Sequence, residues 1–183
     1  MRALGIDPVH DTRETFRALC AATSRPGTVR RVPTPPADHA VAATLVDHEV
    51  TTHTPDADLR AALAAAGRYE PAPPEAADVV HARGAPEWDV RDLERGSPVE
   101  PSDGATVLYR VGDLSADPAA GETAVTVAGP GVPGERTAGV DLPAAELRAL
   151  AEAGSTYPRG VDAVFAADKR LFALPRSVSL EVG

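Results

Sequence analysis

The sequence predicts an α/β layer fold on a mixed sheet. Short β-branched runs such as "EVTTHT" (49–54) and "ADVVHA" (77–82) alternate with stretches that carry helix caps and breakers. The segment "GATVLYRVGDL" (104–114) is apolar through its middle, as a central strand covered on both faces would be. The segment after Gly160 reads strand, tight turn at Asp168-Lys169, strand, which introduces an antiparallel pair. At 183 residues the chain is long enough for one domain with a proper core, and residues 1–183 are read as one unit.

Taken in order, Asp11 with Glu14 three residues on predicts the start of a first helix that buries Phe16, Leu19, Cys20 and Thr23 and stops at Pro26-Gly27. "TVRRV" alternates as a short strand, and "PTPPAD" (33–38) is a breaker cluster read as a loop. An alanine-rich helix over 40–47 leads to the strand "EVTTHT". Thr54-Pro55 then supplies a capping hydroxyl and a first-turn proline for a helix that buries Leu59 and Leu63 and ends at Gly67. "YEPAPPEA" (69–76) is read as a surface loop, followed by the strand "ADVVHA", a short helix over 88–95 and the central strand. A strand over 123–128 precedes "GPGVPGER", and Asp141-Leu-Pro143 opens a helix with Leu147 and Leu150 inward that Gly154 ends. Two strands and a last one after Pro175 complete the order.

Composition excludes several classes. Asp and Glu number 27 against 17 Arg and one Lys, for a formal charge of −9, and neither Asn nor Gln occurs. Such a surface repels phosphate backbones, so no nucleic-acid partner is expected. A high-salt cytoplasm would favour this acidic, lysine-poor chain, and a GC-rich genome would favour the same residues. Cys20 is the single cysteine, which rules out an intrachain disulfide scaffold. No apolar run reaches the roughly 18 residues of a membrane span, and the first residues lack a signal-peptide core, so a cytoplasmic, membrane-free protein is expected.

Few residues advertise chemistry. Gly129-x-Gly131-x-x-Gly134 matches the letters of a dinucleotide fingerprint, but Pro130 and Pro133 remove two of the amides such a cradle uses and no helix follows directly. It is read as a shaped loop. Glu135-Arg136 is expected as a charge pair at a strand end, where the arginine could hold phosphate or phosphonate. The five histidines show no zinc spacing, so no metal is expected. Lys169, the one lysine, is expected in a turn, which argues against a Schiff base or pyridoxal phosphate, and no cofactor is expected. No serine lies in a Gly-x-Ser-x-Gly elbow, and Cys20 is expected to be a buried structural thiol.

Four stretches in order carry a family resemblance: "FRALCAATSRPGTV" (16–29), "PSDGATVLYRV" (101–111), "VTVAGPGVPGER" (125–136) and "YPRGVDAVFAADKRLFALPRSVSLEV" (157–182). Together they resemble the PhnH family, subunits of the carbon–phosphorus lyase system that degrades phosphonates. The resemblance implies a three-layer α/β fold related to the large domain of pyridoxal-phosphate-dependent transferases, without the cofactor. It further implies assembly with PhnG, PhnI and PhnJ and homodimerisation in isolation. With PhnG, PhnI and the nucleotide-binding PhnL, such a subunit supports displacement of adenine from ATP by a phosphonate, giving α-D-ribose 1-phosphonate 5-triphosphate. No catalytic residue follows from it. The candidates for substrate or interface contact are Arg25, Gly129, Gly131, Glu135, Arg136, Arg159 and Asp162. The rival reading is a stand-alone enzyme or binding protein for a phosphorylated small molecule, using Arg136 and Arg159. The shortened "PTPPAD" loop and the acidic surface depart from the family pattern.

Overall fold

The computed structural model describes residues 1–183, apart from the side chain of Arg2. It has four helices, α1 (His10–Ser24), α2 (Ala37–Leu45), α3 (Ala57–Ala65) and α4 (Ala144–Ala153). The first seven strands run from β1 (Arg30–Arg31) and β2 (Thr51–His53) through β3 (Glu70–Pro71), β4 (Val79–Arg83), β5 (Thr106–Arg110), β6 (Leu114–Ser115) and β7 (Thr123–Ala128). The remaining four are β8 (Glu135–Val140), β9 (Asp162–Ala167), β10 (Arg170–Leu174) and β11 (Ser179–Val182). A seven-stranded sheet has the order β1-β10-β9-β5-β4-β2-β3, and a four-stranded antiparallel sheet has the order β11-β7-β8-β6. In the large sheet β3, β2, β4, β5 and β9 are parallel, and β10 runs against β9 and β1.

Strand alternation divides the core into layers. Val79, Leu108, Val164, Ala166, Leu171 and Ala173 face one way and pack on Leu19 and Ala22 of α1, Val41 of α2 and Leu59 and Leu63 of α3. Their neighbours Val80, Val107, Tyr109, Phe165 and Phe172 face the other way, onto the small sheet and Leu147 and Leu150 of α4. The result is a three-layer α/β fold with a mixed central sheet. Tyr109, Phe165 and Phe172 are register partners on β5, β9 and β10, and their rings stack with centroids 5.5 Å apart. The column closes at Tyr109, whose hydroxyl donates to Glu146 of α4 at 2.6 Å; burial first, and then the Glu146 charge, push the phenol well above its ordinary value.

Several local expectations are corrected by tertiary partners. Helix α1 starts at His10, one residue before the proposed Asp11 cap: Asp7 Oδ1 accepts from the amides of Val9 and His10, while Asp11 Oδ2 reaches back to the Asp7 amide. Its buried face is Thr15, Leu19 and Ala22, so Phe16 and Cys20 are exposed. The "PTPPAD" loop ends inside α2, with Pro36 as its cap residue. Asp56, not Thr54, caps α3 by accepting from the amides of Asp58 and Leu59. The 88–95 helix is a single 3-10 turn at Val90–Asp92, and the apolar run after Gly104 splits into β5 and β6 in different sheets. The surface loop over 69–76 contains the short edge strand β3.

Candidate functional site

In a parallel sheet, ligands settle outside the carboxyl ends of strands where neighbouring connections leave toward opposite faces. Strands β2 and β4 are such neighbours. The connection after β2 is α3, on the helical face, whereas the connection after β4 carries Trp88, Val90 and Leu93 onto the face of the small sheet. The carboxyl ends of β2, β4 and β5, with the first turns of α2 and α3, therefore frame a crevice. Six charged or titratable side chains meet there: Asp38, His39, Asp56, His81, Arg83 and Arg110.

Local chain geometry explains how each one arrives. Asp38 and His39 occupy the first turn of α2, whose Ala37 amide is fastened to the Asp168 carbonyl at 2.7 Å. His81 and Arg83 stand two apart on β4 and share the helix-facing side with Val79, and Arg110 shares that side of β5 with Leu108. Thr54 follows β2, and its hydroxyl accepts from the Asp56 amide at 3.1 Å. The same hydroxyl lies 2.8 Å from His81 Nδ1 and pairs with it, which fixes the orientation of the ring toward Asp38.

His81 Nε2 lies 3.2 Å from Asp38 Oδ2, but the approach is oblique, and both atoms are buried without a hydrogen-bond partner. His39 Nε2 stands 3.2 Å from Asp56 Oδ2 and 3.8 Å from Asp38 Oδ2. Burial alone would push both carboxyls up. For Asp38 the contact with His81, then the charges of His81, His39 and Arg110, outweigh burial and hold it below its ordinary value. For Asp56 burial is outweighed by the Leu59 amide, the His39 contact and the charges of His39 and Arg83, which bring it to about 2. Both groups are carboxylates at neutral pH, which balances the two guanidiniums.

Thr54, His81 and Asp38 have the residue types of a nucleophilic triad, but not the access. All three are buried, and the hydroxyl already accepts from a backbone amide, so the relay fixes a ring rather than attacking a substrate. Among the described residues, no group of three or more His, Cys, Asp or Glu side chains is arranged to hold a metal ion.

The residues singled out in the sequence lie elsewhere. Residues 129–134 form the loop of the β7–β8 hairpin. It packs on the end of α1: a Cβ on Gly131, which has φ +81°, would stand 2.6 Å from the Ser24 carbonyl oxygen. A Cβ on Gly27, with φ also +81°, would stand 2.6 Å from Arg136 Cβ. Gly129 abuts Val178 and the Ser177 carbonyl. Arg25 is the exposed cap residue after α1. Glu135 and Arg136 are successive residues of β8, so their side chains leave opposite faces, and the expected charge pair does not form among the described residues. Arg159 is exposed before β9. Asp162 opens β9 and takes three hydrogen bonds from Arg176, from its amide at 2.7 Å, Nε at 3.0 Å and Nη2 at 2.5 Å. The same guanidinium donates to the carbonyls of Pro101 and Gly104. "GVD", "PSDG" and "LPR" are thus fastened to one another.

None of the six crevice residues was among the sequence-based candidates. The legible trace of the crevice was polar residues at alternate positions of apolar strands, His81 and Arg83 in "VVHAR" and Arg110 in "TVLYR". No protein of curated function matches the chain. A family model described as bacterial phosphonate metabolism protein (PhnH) matches residues 5–181. With the match running through the α1, β5, hairpin and β9–β11 segments alike, the chain belongs to the PhnH family and has a role in phosphonate metabolism.

Proposed function

We propose that this chain is a subunit of the carbon–phosphorus lyase system, one α/β unit that works inside an assembly with PhnG, PhnI and PhnJ and pairs with a second copy of itself when alone. In that assembly it supports, with PhnG, PhnI and PhnL, transfer of a phosphonate to the ribose of ATP with displacement of adenine. The observation that carries this reading is the family match over residues 5–181. Two features are in keeping with it. The Arg176–Asp162 contact, with three hydrogen bonds, holds distant chain segments together, and Phe16 and Tyr157 present large exposed rings of the kind that assembly covers. No cofactor is assigned to it: Lys169, the one lysine, sits in the β9–β10 turn.

The test is co-expression of tagged protein with PhnG, PhnI and PhnJ partners in molar salt, followed by size analysis. A stoichiometric complex is expected, together with loss of growth on methylphosphonate when the gene is removed. A lone monomer or dimer that leaves growth intact overturns the reading.

A further inference from the structure

Arg83 and Arg110 are the last residues of β4 and β5 and are direct register partners. Both point to the helical side of the sheet, so two like charges stand on adjacent strands, a pairing that is unfavourable by itself. Asp38 and Asp56 beneath hold them there: Arg83 Nη1 is 3.7 Å from Asp56 Oδ2, and Arg110 Nη1 is 3.9 Å from Asp56 Oδ2 and 3.8 Å from Asp38 Oδ2. None of these contacts is a hydrogen bond. A guanidinium carries five N–H donors, and among the described residues neither side chain uses one on a protein acceptor.

Access differs across the cluster in a telling way. The carboxylates are buried, whereas the Arg83 side chain is 54% exposed and that of Arg110 37%. Nη1 of each fork lies toward a carboxylate, and both side chains keep part of their surface open to solvent near the point where the connections of β2 and β4 part. His81 Nε2 and Asp38 Oδ2, buried and unpartnered, lie directly behind. Helix α2 also begins at this crevice, without a side-chain cap on its first amides.

We propose that Arg83 and Arg110 form an oxyanion site that takes a tetrahedral phosphate or phosphonate group across their solvent-exposed surface. The planar forks match such a group bidentately, which a pair of lysines would not. Asp38 and Asp56 keep the anion at the rim, since one driven deeper meets two carboxylates; His39 and His81 are the other titratable groups facing it. The site is separate from Arg136 and Arg159, and it does not depend on assembly with other subunits.

The test is calorimetric titration of the isolated protein at fixed ionic strength, with inorganic phosphate, methylphosphonate and ATP as the three probes. Saturable binding of at least one probe is expected, with affinity falling about 10-fold or more in Arg83→Ala and in Arg110→Ala, as lost charge-assisted hydrogen bonds require. Arg83→Lys, which keeps the charge and loses the fork, should fall between, and Arg136→Ala should bind as the parent does. Equal binding of phosphate and methylphosphonate assigns a free phosphoryl or phosphonyl group, and binding of ATP alone assigns a triphosphate. No binding of any probe, or unchanged affinity in folded Arg83→Ala and Arg110→Ala, overturns the proposal. Should either alanine variant fail to fold, the parent titration and Arg83→Lys decide it. Co-purification with partner subunits is a separate result that this experiment leaves untouched.

Discussion

The two ends of the same sheet handle arginine in opposite ways. At the amino end of β9, Arg176 is mostly buried and its guanidinium bonds Asp162 and the carbonyls of Pro101 and Gly104, in a space kept open by Gly104 and Gly160. At the carboxyl ends of β4 and β5, Arg83 and Arg110 are attracted to Asp38 and Asp56 from beyond hydrogen-bond reach and stay half exposed. A saturated guanidinium fixes the fold, whereas one held only by charge keeps its donors for something else. Residue type did not distinguish the two; the count of satisfied donors does.

The comparison breaks most visibly at Arg176. Arg176→Ala removes the donors for a partly buried carboxylate and two carbonyls, and a loss of about 3 kcal/mol is expected, with a fall in Tm on the order of 10 °C. Thermal unfolding measures it. A loss below about 1 kcal/mol, the range of exposed ion pairs, would show that the clamp is mere surface pairing.

Acid unfolding comes next. Hydrogen bonding and nearby positive charge outweigh burial and depress Asp56 to about 2, from an ordinary 3.8. A depressed carboxyl contributes stability above its unfolded value and loses it as pH falls toward the folded one, so stability should drop between about pH 4 and pH 2. Asp56→Asn, which can still cap α3, should flatten that slope in urea titrations at pH 5 and pH 2.5. An unchanged slope would place the acid sensitivity elsewhere.

The smallest expected effect sharpens the contrast. Arg83→Ala should alter stability by only about 0.5 kcal/mol, as surface substitutions do, because it removes no hydrogen bond within the protein. A loss matching that of Arg176→Ala would erase the distinction between the two ends.

Much of the fold was legible because its signals are local. The strands around Val80, Val107, Val125 and Phe165 and the helix carrying Leu147 and Leu150 follow from apolar spacing, and the prolines of residues 129–134 did mark a loop, though not the strand β8 that follows it. Helix starts were less legible, because caps depend on competition. The Thr54 hydroxyl serves His81 on β4 instead of capping α3, and Asp7 bonds the amides of Val9 and His10, so the helix starts before Asp11. The outward turn of Phe16 and Cys20 was hidden for a similar reason: the helix meets the sheet through Thr15, Leu19 and Ala22, a rotation that one apolar stripe does not fix. The crevice was hardest to see, since its six side chains come from α2, α3, β4 and β5 and meet only through strand register and crossover faces.

Strand order also carries a consequence for synthesis. β1 has β10 as its sheet neighbour, with Arg30 opposite Leu171, and β9 and β10 lie between β1 and β5. A chain leaving the ribosome can pair β4 with β5 early, but Arg30 and Arg31 must wait for nearly everything else to be translated. The hairpin loop that receives the end of α1 also emerges late. Closing such distant pairings is slow, and although α2 can pack on α1 early, the part of α1 that meets β10 stands uncovered during that wait and is open to aggregation until the last strands emerge.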